Sequence, residues 1–209
     1  MAKQKGIIKL DGTIGGITFY KTTEDGYLAR EKGGVSADKI ANDPAFQRTR
    51  ENGEEFGRAG KAGKLLRNSI RAMLQNASDS RMVGRLTQKM VEVIQEDLTN
   101  PRGQRNVIDG EAELLEGFEF NINGKLGTTL YAPFTGTIDR VAGTLTANIP
   151  AFVPINMLAA PGGATHFKIV SAGAEVDFEN ETFVIDTQAT AVLPWDSAAT
   201  AVINLINAV

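Results

Sequence analysis

The stretch Asn42–Leu74, NDPAFQRTRENGEEFGRAGKAGKLLRNSIRAML, decides how the rest of the chain is read. It opens with a helix-start signal. Asn42 or Asp43 can cap, and Pro44 sits at the first helical position, where a missing N–H is tolerated. Phe46 is the first apolar anchor. Gly53, Gly57, Gly60 and Gly63 then follow at steps of 4, 3 and 3, which places them within one broad face of a helix. Each glycine costs up to ~1 kcal/mol against alanine in a helix interior. The four must therefore either break the helix near residues 53–63 or permit close approach of a partner helix or a phosphate backbone. From Lys61 to Gln75 the pattern is amphipathic, with Leu66, Ile70, Met73 and Leu74 on one side and Lys64, Arg67 and Arg71 on the other. Ser78 or Asp79 caps a second helix carrying Met82, Val83, Leu86, Met90, Val93 and Ile94 and ending near Leu98. Joined by a short loop, the two helices are expected to form an antiparallel hairpin.

Upstream, residues 6–32 read as a β meander. Gly6–Leu10 is a short strand, Asp11-Gly12 a turn, and Ile17–Lys21 alternates with Ile17 and Phe19 opposite Thr18 and Tyr20. A loop around Asp25-Gly26 leads to a returning strand, Tyr27–Lys32. So small a unit cannot bury enough surface to stand alone, and it needs its own helices or a neighbouring subunit to dock on. Gly33–Ala41 reads as a linker.

Downstream, composition changes at Pro101–Arg105 from basic and helical to acidic and β-rich. Candidate strands are Phe118–Ile122, Thr128–Tyr131, Thr135–Arg140, Gly143–Ile149, His166–Ser171, Glu175–Phe178, Thr182–Asp186 and Thr200–Ile206, separated by turn dipeptides such as Asn123-Gly124 and Ala172-Gly173. Many short strands at this spacing predict a β-sandwich. The final residues, AATAVINLINAV, are uncharged, so the last strand is expected to be paired, or the natural chain to continue past Val209.

The 209 residues hold no cysteine, which excludes disulfides, zinc–thiolate sites and cysteine nucleophiles. No apolar run approaches the ~18 residues of a membrane span, and the N-terminus lacks a signal-peptide core. The expected location is the cytoplasm, or a particle or polymer assembled there. The net charge of −3 conceals an asymmetry: residues 1–105 carry 19 Lys/Arg against 13 Asp/Glu, while residues 106–209 carry 3 against 12. Opposite balances in the two halves suit a basic face on nucleic acid, or a basic face of one copy meeting an acidic face of the next.

No catalytic, metal or cofactor signature is present. His166 has no second His or Cys to complete a metal site or triad. Gly60-x-x-Gly63-Lys64 continues with Leu65 and fails the phosphate-loop pattern. Asp177, Glu179 and Glu181 lack the spacing of a calcium loop. Trp195 reads as a packing anchor. The basic face of Arg48, Arg50, Arg58, Lys61, Lys64, Arg67 and Arg71 could neutralise phosphates, though Glu51, Glu54 and Glu55 interrupt it.

Gly12, Gly15, Phe19, Tyr20, Gly26 and Arg30, within GTIGGITFYKTTEDGYLARE, match G-x-x-G-x-x-x-[FY]-Y followed by G-x-x-x-R. This hairpin resembles the N-terminus of uncharacterised bacterial proteins of the Bacteroidota type, and NDPAFQRTRENGEEFGRAGKAGK is similar to their next block. Some of that group look phage-like or like components of virions or tubules. The resemblance covers about half the chain and implies a structural role with no catalytic residue to carry over.

The sequence thus predicts an α+β chain: a β meander at 1–34 acting as a docking arm, a basic helical region at 35–105 and an antiparallel β-sandwich at 106–209. The expected role is a non-enzymatic, self-assembling homo-oligomer or polymer, with a nucleic-acid-associated protein as the alternative. Self-assembly is expected to use Ile17, Phe19 and Tyr20 in the meander and Val202, Ile203, Leu205 and Ile206 in the last strand, by strand addition.

Overall fold

The computed structural model describes residues 2–75 and 77–209. The chain is α+β and forms two compact units, one reaching to Arg50 and the other spanning Glu51–Val209.

In the first unit, strands β1 (Ala2–Lys3), β2 (Gly12–Ile14), β3 (Ile17–Thr22) and β4 (Gly26–Glu31) make one antiparallel sheet in the order β1-β4-β3-β2. Registers Ile14↔Ile17, Gly12↔Phe19 and Phe19↔Ala29 put Ile14, Ile17, Phe19 and Ala29 on one face. Tyr20 and Leu28 share the other. Gly26 closes the β3–β4 turn at φ 74°, a conformation costly for any other residue. Among the described residues of this unit, Leu28 is the one buried apolar side chain. Gly6–Leu10, expected as a strand, lies outside the sheet: the Gln4 side chain donates to the Leu10 carbonyl and accepts from the Leu10 N–H at 2.9 Å, which closes the segment into a bend.

The expected linker contains helix α1 (Ala37–Asn42). Ser36 Oγ accepts the Lys39 N–H, and Asn42 Nδ2 donates to Asp38 one turn earlier, so a local cap and an i,i+4 pair make a helix where glycine-led composition suggested none. Asp43 caps a 3₁₀ turn, Pro44–Phe46, by accepting the Ala45 N–H at 2.9 Å.

Helix α2 (Gln47–Ser69) then runs unbroken through all four glycines. Only Gly63 meets a neighbour: a Cβ there would lie 3.6 Å from Leu86 and 3.7 Å from Met90. Gly53, Gly57 and Gly60 face open space. After a short helix α3 (Arg71–Leu74), helix α4 (Met82–Gln95) buries Met82, Leu86, Met90, Val93 and Ile94. These pack with Ala59, Ala62 and Val107 into one core. The residues that follow α4 return to the first turns of α2, so the pair is antiparallel, as the short connection predicts.

Two expected strands are absent. Phe118–Ile122 alternates like a strand, but Phe118 and Phe120 meet edge-to-face at 5.0 Å and pack on the helical core. Its backbone is held by side chains of the α4 end: Arg85 donates to the Glu119 carbonyl at 2.6 Å, and Asp79 accepts the Ile122 N–H at 3.0 Å. The next expected strand is largely a single helical turn, α5 (Leu126–Thr129), with Leu130 bridging Leu158.

The remaining strands are antiparallel. β5 (Thr135–Asp139), β6 (Thr144–Ile149) and a last strand, Ile203–Ala208, form a three-stranded sheet with β6 central. A one-turn helix α6 (Pro154–Met157) and β7 (His166–Phe167) precede a long hairpin, β8 (Val170–Asp177) and β9 (Thr182–Ala189). β10 (Leu193–Pro194) pairs with β7, and the last strand is β11. The hairpin packs on β11 through Asn207, which is buried and donates from Nδ2 to the carbonyls of Ser171 and Asp186. Ile203, Leu205 and Ile149 face the core with Leu130, Ala132 and Phe152.

Two substitution sets test this packing. Gly57→Ala and Gly60→Ala, at open positions of α2, are expected to raise stability by up to ~1 kcal/mol each. At Gly173 on β8 a Cβ would lie 2.7 Å from Asn207 Cβ and 3.0 Å from Leu145. Gly173→Ala is therefore expected to destabilise by about 1–3 kcal/mol. Urea unfolding measures all three.

Candidate functional site

The basic face of α2 is the functional candidate that the sequence offers, and two of its seven cations, Arg50 and Arg58, are engaged by the fold. Glu55 is buried on α2 and receives three donors: the Gly103 N–H at 2.8 Å, Arg105 Nε at 2.8 Å and Arg105 Nη2 at 2.8 Å. Arg105 meets it fork to fork, the geometry that makes a carboxylate–guanidinium pair strong. Arg105 pulls the Glu55 carboxyl below its ordinary value; burial opposes this, and the Gly103 N–H adds to the pull. One turn on, Arg58 donates to the carbonyls of Arg105, at 2.6 Å, and Gly103. Gly103 stands at φ 88°, and a Cβ on it would lie 2.9 Å from Glu51 Cγ, so only glycine allows this loop against the helix. Arg50 is likewise committed, to the carbonyls of Ile40 at 2.7 Å and Asp43 at 3.0 Å.

The same loop is tied at its other end by Asp97, which is buried. Its carboxylate accepts the N–H groups of Thr99, Asn100 and Asn106 and the Asn100 side chain, all between 2.8 and 3.0 Å. Burial alone would raise its pKa; the Asn100, Asn106 and Thr99 donors outweigh that and hold it at about 2, against an ordinary 3.8.

Of the seven basic-face residues, Arg50 and Arg58 therefore serve the fold. Arg67 is half-buried, its guanidinium 3.6 Å from where a Gly63 Cβ would stand. Arg48, Lys61, Lys64 and Arg71 are exposed. A recess beside this face, lined by Arg58, Lys61, Leu65, Val107, Phe178 and Glu181, encloses about 200 Å³. That is below the ~300–1,000 Å³ of ordinary small-molecule sites. Among the described residues, no group of His, Asp or Glu is placed to hold a metal ion, and no helix is long and apolar enough to cross a membrane. His166 is exposed, its Nδ1 2.9 Å from Thr165 Oγ1. Trp195 is half-buried and donates from Nε1 to the Leu158 carbonyl at 3.0 Å, a packing role.

The proposed assembly residues divide differently. Ile17 is exposed, beside exposed Ile14 on the same sheet face, and Phe19 is half-buried there. Tyr20 lies on the opposite face with the Arg30 guanidinium 5.3 Å from its ring centre. In β11 the alternation sends Ile203 and Leu205 into the core, so they are not available to a partner. Val202 and Ile206 are exposed.

Sequence reasoning missed the Glu55–Arg105–Arg58 clamp, whose members stand up to 50 positions apart; the interrupting glutamates of the basic segment were the available signal. It also missed the free edge of β5, all five of whose residues are exposed.

No family model, curated protein or solved structure matches this chain.

Two substitutions test the clamp. Glu55→Ala strands Arg105 and the Gly103 N–H and is expected to cost about 3 kcal/mol or more. Asp97 has a depressed folded-state pKa, so its contribution is complete above its ordinary value of 3.8 and is lost as pH falls through about 2. Stability against acid, followed by circular dichroism, should fall across that window, and Asp97→Asn should flatten the fall.

Proposed function

We propose that this chain is a non-enzymatic structural protein that self-assembles into a filament, tubule or virion-type layer. The observation that supports this most is how little the first unit buries. Its sheet of four short strands covers Leu28 and leaves Ile7, Ile8, Leu10, Ile14 and Ile17 exposed. Small sheets need a covered apolar face to be stable, and exposed apolar patches of this kind mark interaction surfaces. Charge supports the same reading. Residues 1–50 carry nine Lys/Arg and six Asp/Glu, while 51–209 carry 13 and 19. Copies meeting head to tail would bring the two signs together, and repetition of such a contact builds rings or helical polymers. The choice of filament, tubule or virion layer rests on the resemblance of the N-terminal hairpin to uncharacterised bacterial proteins, some of which look phage-like or like components of virions or tubules. Phosphate binding by the basic helix, the alternative, has two of its seven cations engaged with backbone carbonyls.

Purified protein viewed by negative-stain electron microscopy is expected to show polymers that lengthen with concentration and shorten in about 1 M salt, where the Debye length falls to ~3 Å. A uniform 22.4 kDa monomer at every concentration would overturn the reading. A filter-binding titration at low salt is expected to retain no DNA or RNA.

A further inference from the structure

One sheet of the second unit has an open edge. β5 is the edge of its sheet, hydrogen-bonded to β6 alone among the described strands. It carries no Lys, Pro or bulge, the usual guards of an edge. Its inward positions, Gly136 and Ile138, share a face with Ala147 and Leu145. Opposite stand Ala172 and Ala174 of β8. Between β5 and β8 runs a groove lined in part by these six residues. Asp139 and Glu175 lie at one end, beside Arg140.

The chain also holds a strand-like segment with no place in its own sheet. Gly6–Leu10, GIIKL, has the β-branched composition of a strand. It stands outside the N-terminal sheet with Ile7 fully exposed and Ile8 80% exposed. It is five residues long, the length of β5, and Lys5 and Lys9 bracket its isoleucines.

We infer that Gly6–Leu10 of a second copy adds to the free edge of β5 and lays Ile8 and Leu10 into the groove between β5 and β8. Period-two alternation sends those two side chains to one face and leaves Ile7 and Lys9 on the other. Main-chain hydrogen bonds to β5 provide affinity, and the groove selects side chains. One of the two lysines that bracket the added strand comes to the end that carries Asp139 and Glu175. The intramolecular bend held by Gln4 is a resting form released on addition. This inference rests on the self-assembly reading and names its contact.

The cysteine-free chain allows a direct test. Ile8→Cys and Ile138→Cys are placed in separate preparations, both at exposed positions where folding is undisturbed. Mixed and mildly oxidised, they are expected to give a disulfide-linked dimer of twice 22.4 kDa on a non-reducing gel, well above what either preparation gives alone. Gly136→Phe, whose side chain enters open space in the groove, is expected to raise the concentration needed for assembly about tenfold or more, the equivalent of one buried isoleucine. Polymers in the microscope without a mixed dimer, and with Gly136→Phe assembling normally, would overturn this contact and leave self-assembly standing. Monomers throughout, with no mixed dimer, would overturn both.

Discussion

Glu55 and Arg105 meet fork to fork at 2.8 Å, and the helical core is arranged around that meeting. A buried carboxylate is tolerated only when its charge is answered and its lone pairs are filled. Arg105 and the Gly103 N–H do both. Satisfying Glu55 pins the chain after α4 against the first turns of α2, and Arg58 adds two carbonyls of the same loop. With both ends of the hairpin fixed, Leu86 and Met90 come to lie on Gly63, and Ala59 and Ala62 complete the contact. Asp97 performs the same service at the far end of the loop with four hydrogen bonds. Of what looked like a phosphate-binding stripe, Arg58 belongs to the internal fastening of two helices.

The two units differ in how large an apolar core they bury. In the second, helices and sheets each find a partner layer, and the polar groups caught between them, Asn207 above all, are bonded on several sides. In the first, one side chain among the described residues is buried, and Ile7, Ile8, Ile14 and Ile17 are exposed. The second unit in turn has an unguarded edge at β5. On the self-assembly proposal, the strand-like segment of the first unit and the open edge of β5 would be the two halves of a repeating contact.

The sequence made some of this readable. The 3.6-residue period of Met82, Leu86, Met90 and Val93 identified α4, because a buried helical stripe leaves its mark locally. A strand expected at Thr200–Ile206 forms at Ile203–Ala208, and which of its residues face inward becomes clear only with β6 in place. The four glycines of α2 misled. Helix propensity disfavours them, yet long-range fastening at Glu55 and Arg58 outweighs about one kcal/mol per residue. Phe118–Ile122 alternates like a strand but packs as a loop, since tertiary contacts to Asp79 and Arg85 take its backbone groups. Gly6–Leu10 was read as a strand and stands apart from the sheet. The clamp and the β5 groove depend on residues tens of positions apart, and neither leaves a local pattern.

Amide hydrogen exchange measured across a dilution series tests the central claim most directly, because it reports backbone pairing segment by segment. The account predicts that Ile7–Leu10 and those amides of Thr135–Asp139 that point away from β6 exchange quickly in dilute protein and become protected together as concentration rises, while α4 stays protected throughout. If both segments exchange at the same fast rate at every concentration, the chain does not complete its sheets with copies of itself.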